Sequence, residues 1–372
     1  MLMDSAKIDS AGIEQLRSRI GVELRIKQFN TVATQDNIKK FVESVGDGNP
    51  LWLDPTYAQG TRYGSIIAPP TFLYSVLWPS GALAGGLPGV HSFHGGNDWQ
   101  FFKPIRLNDR ILASARLIDV TEKQSRYGGR SVIVTVEVNY KNQFDELVAI
   151  GKGWSIRAER EAGRKRGKYL GITPYGYTTE EIQLIEQNCL SEQPRGAKFV
   201  YWDDIVEGDK LPPLAKGPLS LEDVESFISA IGCTATLFFR VKLFRRHPGF
   251  FYRDPNTNCW EAVSGVNIYD YAAQAVGIPR AYDLGSQRIS WLGHLLTNWM
   301  GDDGFLEKLY VKLQLPNLYG DTQWCKGRVS HKYTRGEHFF VDCDVWCENQ
   351  RREQTAVGTA TVRLPSRKVA AL

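Results

Sequence analysis

A pattern written twice at one spacing constrains this chain more than any other feature. Asn142-Gln143, Glu146, Ala149 and Gly151 return as Asn349-Gln350, Glu353, Ala356 and Gly358, each 207 positions later. The residues before them alternate alike. Val134, Val136 and Val138 become Val341, Cys343 and Val345, while Thr135 and Glu137 become Asp342 and Asp344, so one strand face stays apolar and the other polar. Pro104 and Asp109 match Pro316 and Asp321, and the helical face Ile38, Phe41, Val42, Val45 matches Val224, Phe227, Ile228, Ile231. Two similar units are therefore expected, each an α+β combination of a helix and several antiparallel strands. The expected boundaries are 1–160, a basic linker with a short helix at 161–197, and 198–372.

The first unit opens with Ile8, Ile13, Leu16 and Ile20 spread among charges, which predicts a helix, followed by strand-like alternation over 22–26. The most informative stretch is 41–72. Ile38, Phe41, Val42 and Val45 recur with helical period after Thr34, a suitable N-cap, and Gly46 stops the helix. Asp47, Asn49 and Pro50 then form a turn, and Ala68-Pro69-Pro70-Thr71 reads as the opening of an apolar helix, since proline suits the first helical position. A carboxylate beside the free N–H groups of a helix start can move a proton next to a developing oxyanion. Further on, 91–102 is rich in aromatics, 110–120 alternates, and a strand turns at Asn142-Gln143.

Gly46-Asp47-Gly48-Asn49-Pro50-Leu51 resembles the G-D-x-N-P-L/I-H motif of the MaoC-like (R)-specific enoyl-CoA hydratases and dehydratases. The motif's histidine falls on Trp52, so the Asp/His pair that activates water in those enzymes is incomplete. The resemblance implies two hot-dog repeats in one chain, a double hot-dog in which each long central helix is wrapped by an antiparallel sheet. It also implies reversible hydration of an acyl-CoA thioester with no cofactor and no metal, and in two-repeat members it assigns the chemistry to the second repeat.

That second repeat departs from the pattern. Gly46-Asp47 becomes Gly232-Cys233, and residues 234–263 are inserted, interleaving aromatics with cations that include Arg240 and Arg246. These two and Arg288 are candidates for substrate contact, as is Trp52; a packed surface flap is the plainer reading of the insert. Val266-Asn267-Ile268-Tyr269-Asp270 resembles a remnant of the motif, with Tyr269 near the missing histidine. Ile289, Leu292, Leu296 and Trp299 mark a helix after Asp283-Leu284-Gly285. In the family the corresponding helix start holds the thioester oxygen, which makes Gly285, or the start near Pro70, the candidate oxyanion site. Asp47, Asn49, Tyr269, Asp283 and His94 are the candidate acid/base and polar residues; His91 and His94 are the rings that can replace what Trp52 lacks. His294, two turns past the helix start, is expected to be a packed or surface histidine.

The composition of 42% hydrophobic and 23% charged residues is that of a globule, and no window has the roughly eighteen apolar residues of a membrane span. Neither a signal-peptide layout nor a CxxC pair occurs, which predicts a reduced cytoplasmic protein. The net charge of +4 suits an anionic thioester carrier and gives no basis for nucleic acid. The run from Arg157 to Lys168 reads as a solvated connector. A homodimer of double hot-dogs is one expected assembly, and a hot-dog thioesterase or a non-catalytic acyl-binding subunit are the alternative functions.

Overall fold

A computed structural model describes residues 6–125, 129–233 and 236–370. The strands that matter here are β1 (His91–Phe101), β2 (Leu112–Ser125), β3 (Gly129–Lys141), β4 (Leu147–Ala158), β5 (Lys210–Lys216), β6 (Phe305–Leu313), β7 (Gln323–Arg335), β8 (His338–Asn349) and β9 (Gln354–Leu364). They form one antiparallel sheet in the order β2-β3-β4-β1-β6-β9-β8-β7-β5. Apart from the extra edge strand β5, the order is palindromic about the β1–β6 seam, where Trp99 faces Leu309 and Asp98 faces Tyr310. The repeat in the sequence is thus a pseudo-twofold axis in the structure. This is an α+β double hot-dog fold.

Five helices complete the frame: α1 (Gln35–Val45), α2 (Thr179–Leu190), α3 (Leu221–Ala230), α4 (Leu237–Arg246) and α5 (Gly285–Met300). Thr34 caps α1 through the Asn37 N–H, and Gly46 ends it in the left-handed region at φ 67°. Ile38, Phe41, Val42 and Val45 are buried, as the period requires. Phe41 and Phe227, equivalent in the two repeats, meet across the pseudo-axis with ring centroids 6.1 Å apart, and Phe72 stands edge-on to Phe41 at 5.8 Å. Each such contact adds about 0.5–1.5 kcal/mol to the area buried.

The repeated turns are equal in detail. Asn142 donates to Glu146 at 2.8 Å and Asn349 to Glu353 at 2.9 Å, while Gln143 reaches Asp109 and Gln350 reaches Asp321. Gly151 and Gly358 recur because neither has room for a side chain: a Cβ would lie 2.7 Å from Trp99 in one and 2.0 Å from the Tyr310 carbonyl in the other.

Three expectations need correction. The central helix is long only in the second repeat, where all sixteen residues of α5 are buried between the sheet, α1 and the first repeat. In the first repeat it is a 3₁₀ helix over Pro70–Ser75, because Pro79 follows too soon for the turn to propagate. Residues 22–26 make only one bridge, Glu23 to Arg116, because their side chains are mostly exposed and have no second strand to pair. The basic run is only partly solvated. Arg157 and Arg160 are buried, donating to the carbonyls of Gly81 and Gly85 and of Phe251 and Gly249, which fastens the junction between repeats to the first loop region and to the insert. Among the described residues no helix is long and apolar enough to cross a membrane.

Candidate active site

Strand β1 pairs with β6 only over 96–100, so the segment 91–94 has an open edge beside the start of α5. A cavity of about 500 Å³ lies there. Its walls come from both repeats: Val76, Leu77, Leu83 and Phe93 from the first, and Leu243, Phe250, Val263 and Val266 from the insert and its flank. The insert therefore closes a pocket. Near the start of α5 the wall carries His94, Asn267, Asp283 and Gly285, with Cys233 where Asp47 has its repeat equivalent, and Ser80, His91, Arg160, Ser264 and Tyr282 are further polar lining residues.

His94 is placed by a bulge. The register of β1 against β4 shifts between His94 and Gly96, and the two glycines after His94 are required there, since a Cβ on Gly95 would meet Trp154 at 2.4 Å and one on Gly96 the Val311 carbonyl at 2.2 Å. The tautomer of its ring follows from its neighbours. Asn97 donates from Nδ2 to the Pro79 and Lys152 carbonyls at 2.9 and 3.1 Å, so its Oδ1 faces His94 Nε2 at 2.8 Å. Tyr74, itself an acceptor from Trp99, donates to the same Oδ1. Nε2 must carry the proton, and Nδ1 keeps its lone pair. That nitrogen is buried and has no hydrogen-bond partner, and a Cβ placed on Gly285 would lie 2.7 Å from it. Burial outweighs the contacts of Asn97 and the Gly96 backbone and, with a smaller push from Arg288, lowers the ring to about 4, so it is a neutral base at pH 7.

No side chain caps α5 at Leu284, and the first N–H groups of a helix have no partner within it. The start of α5 thus presents donors and the positive end of a helix dipole beside His94 Nδ1. Asp283 is fully buried and ion-paired to Arg288 at 2.6 Å, yet burial outweighs the pairing and raises its carboxyl to about 6. Its Oδ1 has no partner. Among the described residues no group of three or more His, Cys, Asp or Glu is arranged to hold a metal.

The motif in the first repeat has a different fate. Asp47 Oδ2 accepts from the Trp52 indole at 3.0 Å and Oδ1 from the Asn49 N–H at 3.1 Å, while Asn49 caps the one-turn helix that begins at Pro50. His294 of α5 comes within 3.4 Å of Asp47 and binds Glu192, just beyond α2, at 2.6 Å. Burial opposes ionisation of Glu192, but the His294 contact, Lys216 and Asn298 overcome it and hold the carboxyl down at about 2. Asp47 and His294 do not line the cleft next to them, which is formed by Asn49, Trp52 and Pro70 with Thr297 and Met300. Trp52 is thus an anchor that closes the Asp47 turn, and the cluster ties the first repeat, the linker and α5 together.

Asp47→Asn is therefore expected to destabilise the fold by about 1–3 kcal/mol, because an amide N–H₂ is placed against the Trp52 donor. Turnover per folded molecule is expected to stay within about twofold, since Asp47 does not line the cavity. Denaturant unfolding beside active-site titration checks both.

Of the remaining expected site residues, His94, Asp283 and Gly285 meet in the cavity. Pro70 starts only the short 3₁₀ helix and lies at the other cleft. Tyr269 is 40% exposed, stacked on Tyr271, and does not line the cavity, because the short helix it precedes turns it outward. Arg240 is held by Glu261 at 2.9 Å, Arg246 lies in a surface groove against Leu87 and Pro88, and Arg288 is consumed by Asp283 and the carbonyls of Leu315 and Thr355. These three arginines are structural or superficial rather than cavity-lining. His294 is packed and buried. Asn97, which fixes the His94 tautomer, was not legible as a candidate site residue; the one local signal was His94-Gly95-Gly96, since glycines inside a strand mark a bulge.

The fold is that of a double hot-dog protein. Solved structures align with nearly all of it: a MaoC-like dehydratase covers 94% of this chain and 99% of its own at TM-score 0.64 and 15% identity. A MaoC domain protein dehydratase from Chloroflexus aurantiacus aligns over 94% and 96% at TM-score 0.58 and 13% identity, and a double hot-dog protein of Mycobacterium tuberculosis over 96% and 99% at 0.56 and 11%. Such identities establish the fold alone. In sequence, the model of the FAS1-like dehydratase domain region matches residues 18–150. A UPF0336 protein of Streptomyces avermitilis is 30% identical over 123 residues, which cover 32% of this chain and 80% of the relative. Another, from Parafrankia sp., is 27% identical over 122 residues, covering 32% and 78%. The chain belongs to the UPF0336 family.

Proposed function

We propose that this protein adds water to, or removes it from, an acyl-thioester, with coenzyme A as the carrier, and that the chemistry is run from the second repeat's helix start by a histidine of the first. The observation that carries this reading is the bare, neutral Nδ1 of His94 beside Gly285 at the uncapped start of α5, inside an apolar cavity. In hydration, the thioester carbonyl of an enoyl ester accepts from the backbone N–H groups at Gly285, which draws charge from the β-carbon. His94 Nδ1 takes a proton from a water as the oxygen bonds to the β-carbon. The α-carbon gains a proton as the double bond is lost, and His94, now charged, supplies it and returns to its neutral form. Lys27, exposed at the cavity rim, suits the carrier's phosphates.

A panel of trans-2-enoyl-CoA esters of increasing bulk, incubated with the purified chain alone, tests this. Formation of 3-hydroxyacyl-CoA without free thiol is expected. Release of free thiol would make the protein a thioesterase, and binding without turnover would make it an acyl-holding subunit.

A further inference from the structure

The insert carries a helix that packing barely uses. None of the ten residues of α4 is buried. Its inner side is held by Phe244, stacked on Trp260 at 4.8 Å and edge-on to Phe251 at 5.2 Å, and by Arg240, paired with Glu261 at 2.9 Å. The rest faces outward. Leu237, Phe238, Phe239, Val241 and Leu243 are 39–68% exposed, five large apolar side chains gathered on one helix, whereas such residues are ordinarily scattered singly over a surface. Between them stand Lys242, Arg245 and Arg246, also exposed, and the Lys242 ammonium lies 4.2 Å over the Phe238 ring. Residues 236–253 contain five Lys or Arg and neither Asp nor Glu.

Geometry and charge together select what covers this face. Successive helical residues point about 100° apart, so Leu237, Phe238 and Phe239 face three directions. A groove in a partner protein reads residues three and four apart and cannot cover all three. A second copy of the chain would set cations against cations. A fluid anionic interface meets both demands: apolar side chains enter the acyl boundary in any outward direction, while Lys and Arg reach the phosphates with their aliphatic stems alongside. The apolar surface also runs on to the cavity, since Phe239 lies one turn before Leu243, which lines it. We infer that α4 docks the protein on an anionic phospholipid surface, lying in the headgroup layer with the Leu243 wall of the cavity beside the lipid. Ten residues are too few to span a bilayer, so the attachment is peripheral. Lipid binding of this kind is independent of the acyl-thioester reading.

The test is flotation of the full chain with vesicles of phosphatidylcholine containing about one third phosphatidylglycerol, against vesicles of phosphatidylcholine alone. The chain is expected to float with the anionic vesicles, to favour them by about tenfold or more over the neutral ones, and to be released as salt rises toward about 1 M, where screening confines charge effects to about 3 Å. Phe238→Ser combined with Phe239→Ser should lower the partition coefficient by about tenfold or more, because two rings leave the acyl boundary. Lys242→Ser combined with Arg245→Ser should lower it by about tenfold. All four side chains are exposed and none lines the cavity, so both variants should keep the thermal transition of the wild type. Failure of the wild type to float with anionic vesicles overturns the inference. Anionic binding that survives the two phenylalanine substitutions overturns it as well, because charge alone would then explain the attraction. Self-association in sedimentation that the same substitutions abolish, without flotation, gives the face to a second copy instead.

Discussion

Replacing His94 by glutamine is expected to lower turnover by roughly two to four orders of magnitude, the scale of losing a positioned general base. Glutamine can keep the Asn97 contact while removing the lone pair that faces Gly285, so substrate binding should change far less. The pH profile gives an independent reading. With its ring lowered to about 4, His94 stays a competent base down to that value, and the rate should fall only as the ring protonates near pH 4. An acid limb near 6.5, where a solvent-exposed imidazole titrates, would place the working histidine elsewhere. Stability follows the same shift. Between about pH 6.5 and 4 the unfolded chain takes up a proton that folded His94 refuses, so its contribution to stability declines as pH falls through that window and the decline should be absent in His94→Gln.

The second large effect concerns the ion pair beneath the cavity. Arg288→Met is expected to cost about 3–5 kcal/mol, since it leaves a fully buried carboxylate without its partner and frees the carbonyls of Leu315 and Thr355. The sign of its pH dependence is fixed by Asp283. Its carboxyl is already raised to about 6, and without the arginine it rises further, so the variant can relieve the penalty by binding a proton. The loss should therefore be smaller at pH 5 than at pH 8. Paired denaturant titrations at the two values measure it, and an equal loss at both would show that Asp283 does not set the cost. Replacing both partners with apolar residues of similar volume should recover much of the stability, because no charge is then left alone.

The Asp47 variant addresses a part of the molecule that these substitutions do not reach. Together the variants separate a group that does chemistry from groups that hold it in place. Trp52 shows why that separation is needed: it stands in the motif where a histidine is expected, and its indole N–H closes on Asp47 Oδ2 at 3.0 Å.

Periodicity and recurrence determined much by themselves. The face Ile38, Phe41, Val42, Val45, the Thr34 cap and the Gly46 stop define α1 locally, because helix faces and caps depend on residues three or four apart. The spacing shared by Asn142–Gly151 and Asn349–Gly358 foretold two pseudo-symmetric halves, since the same side chains close the same turns through the same hydrogen bonds. What only the tertiary structure decided is which distant residues share a cavity. His94 and Gly285 lie in different repeats, and their meeting depends on a bulge in β1, on the β1–β6 seam and on the depth at which α5 begins. The motif's carboxylate drew attention to Asp47, yet burial gave it to Trp52, Asn49 and His294, while the insert that reads as a surface flap became a wall of the pocket. Local pattern names the groups a chain possesses; their chemistry is set by desolvation and by partners brought from far along the sequence, which no local spacing encodes.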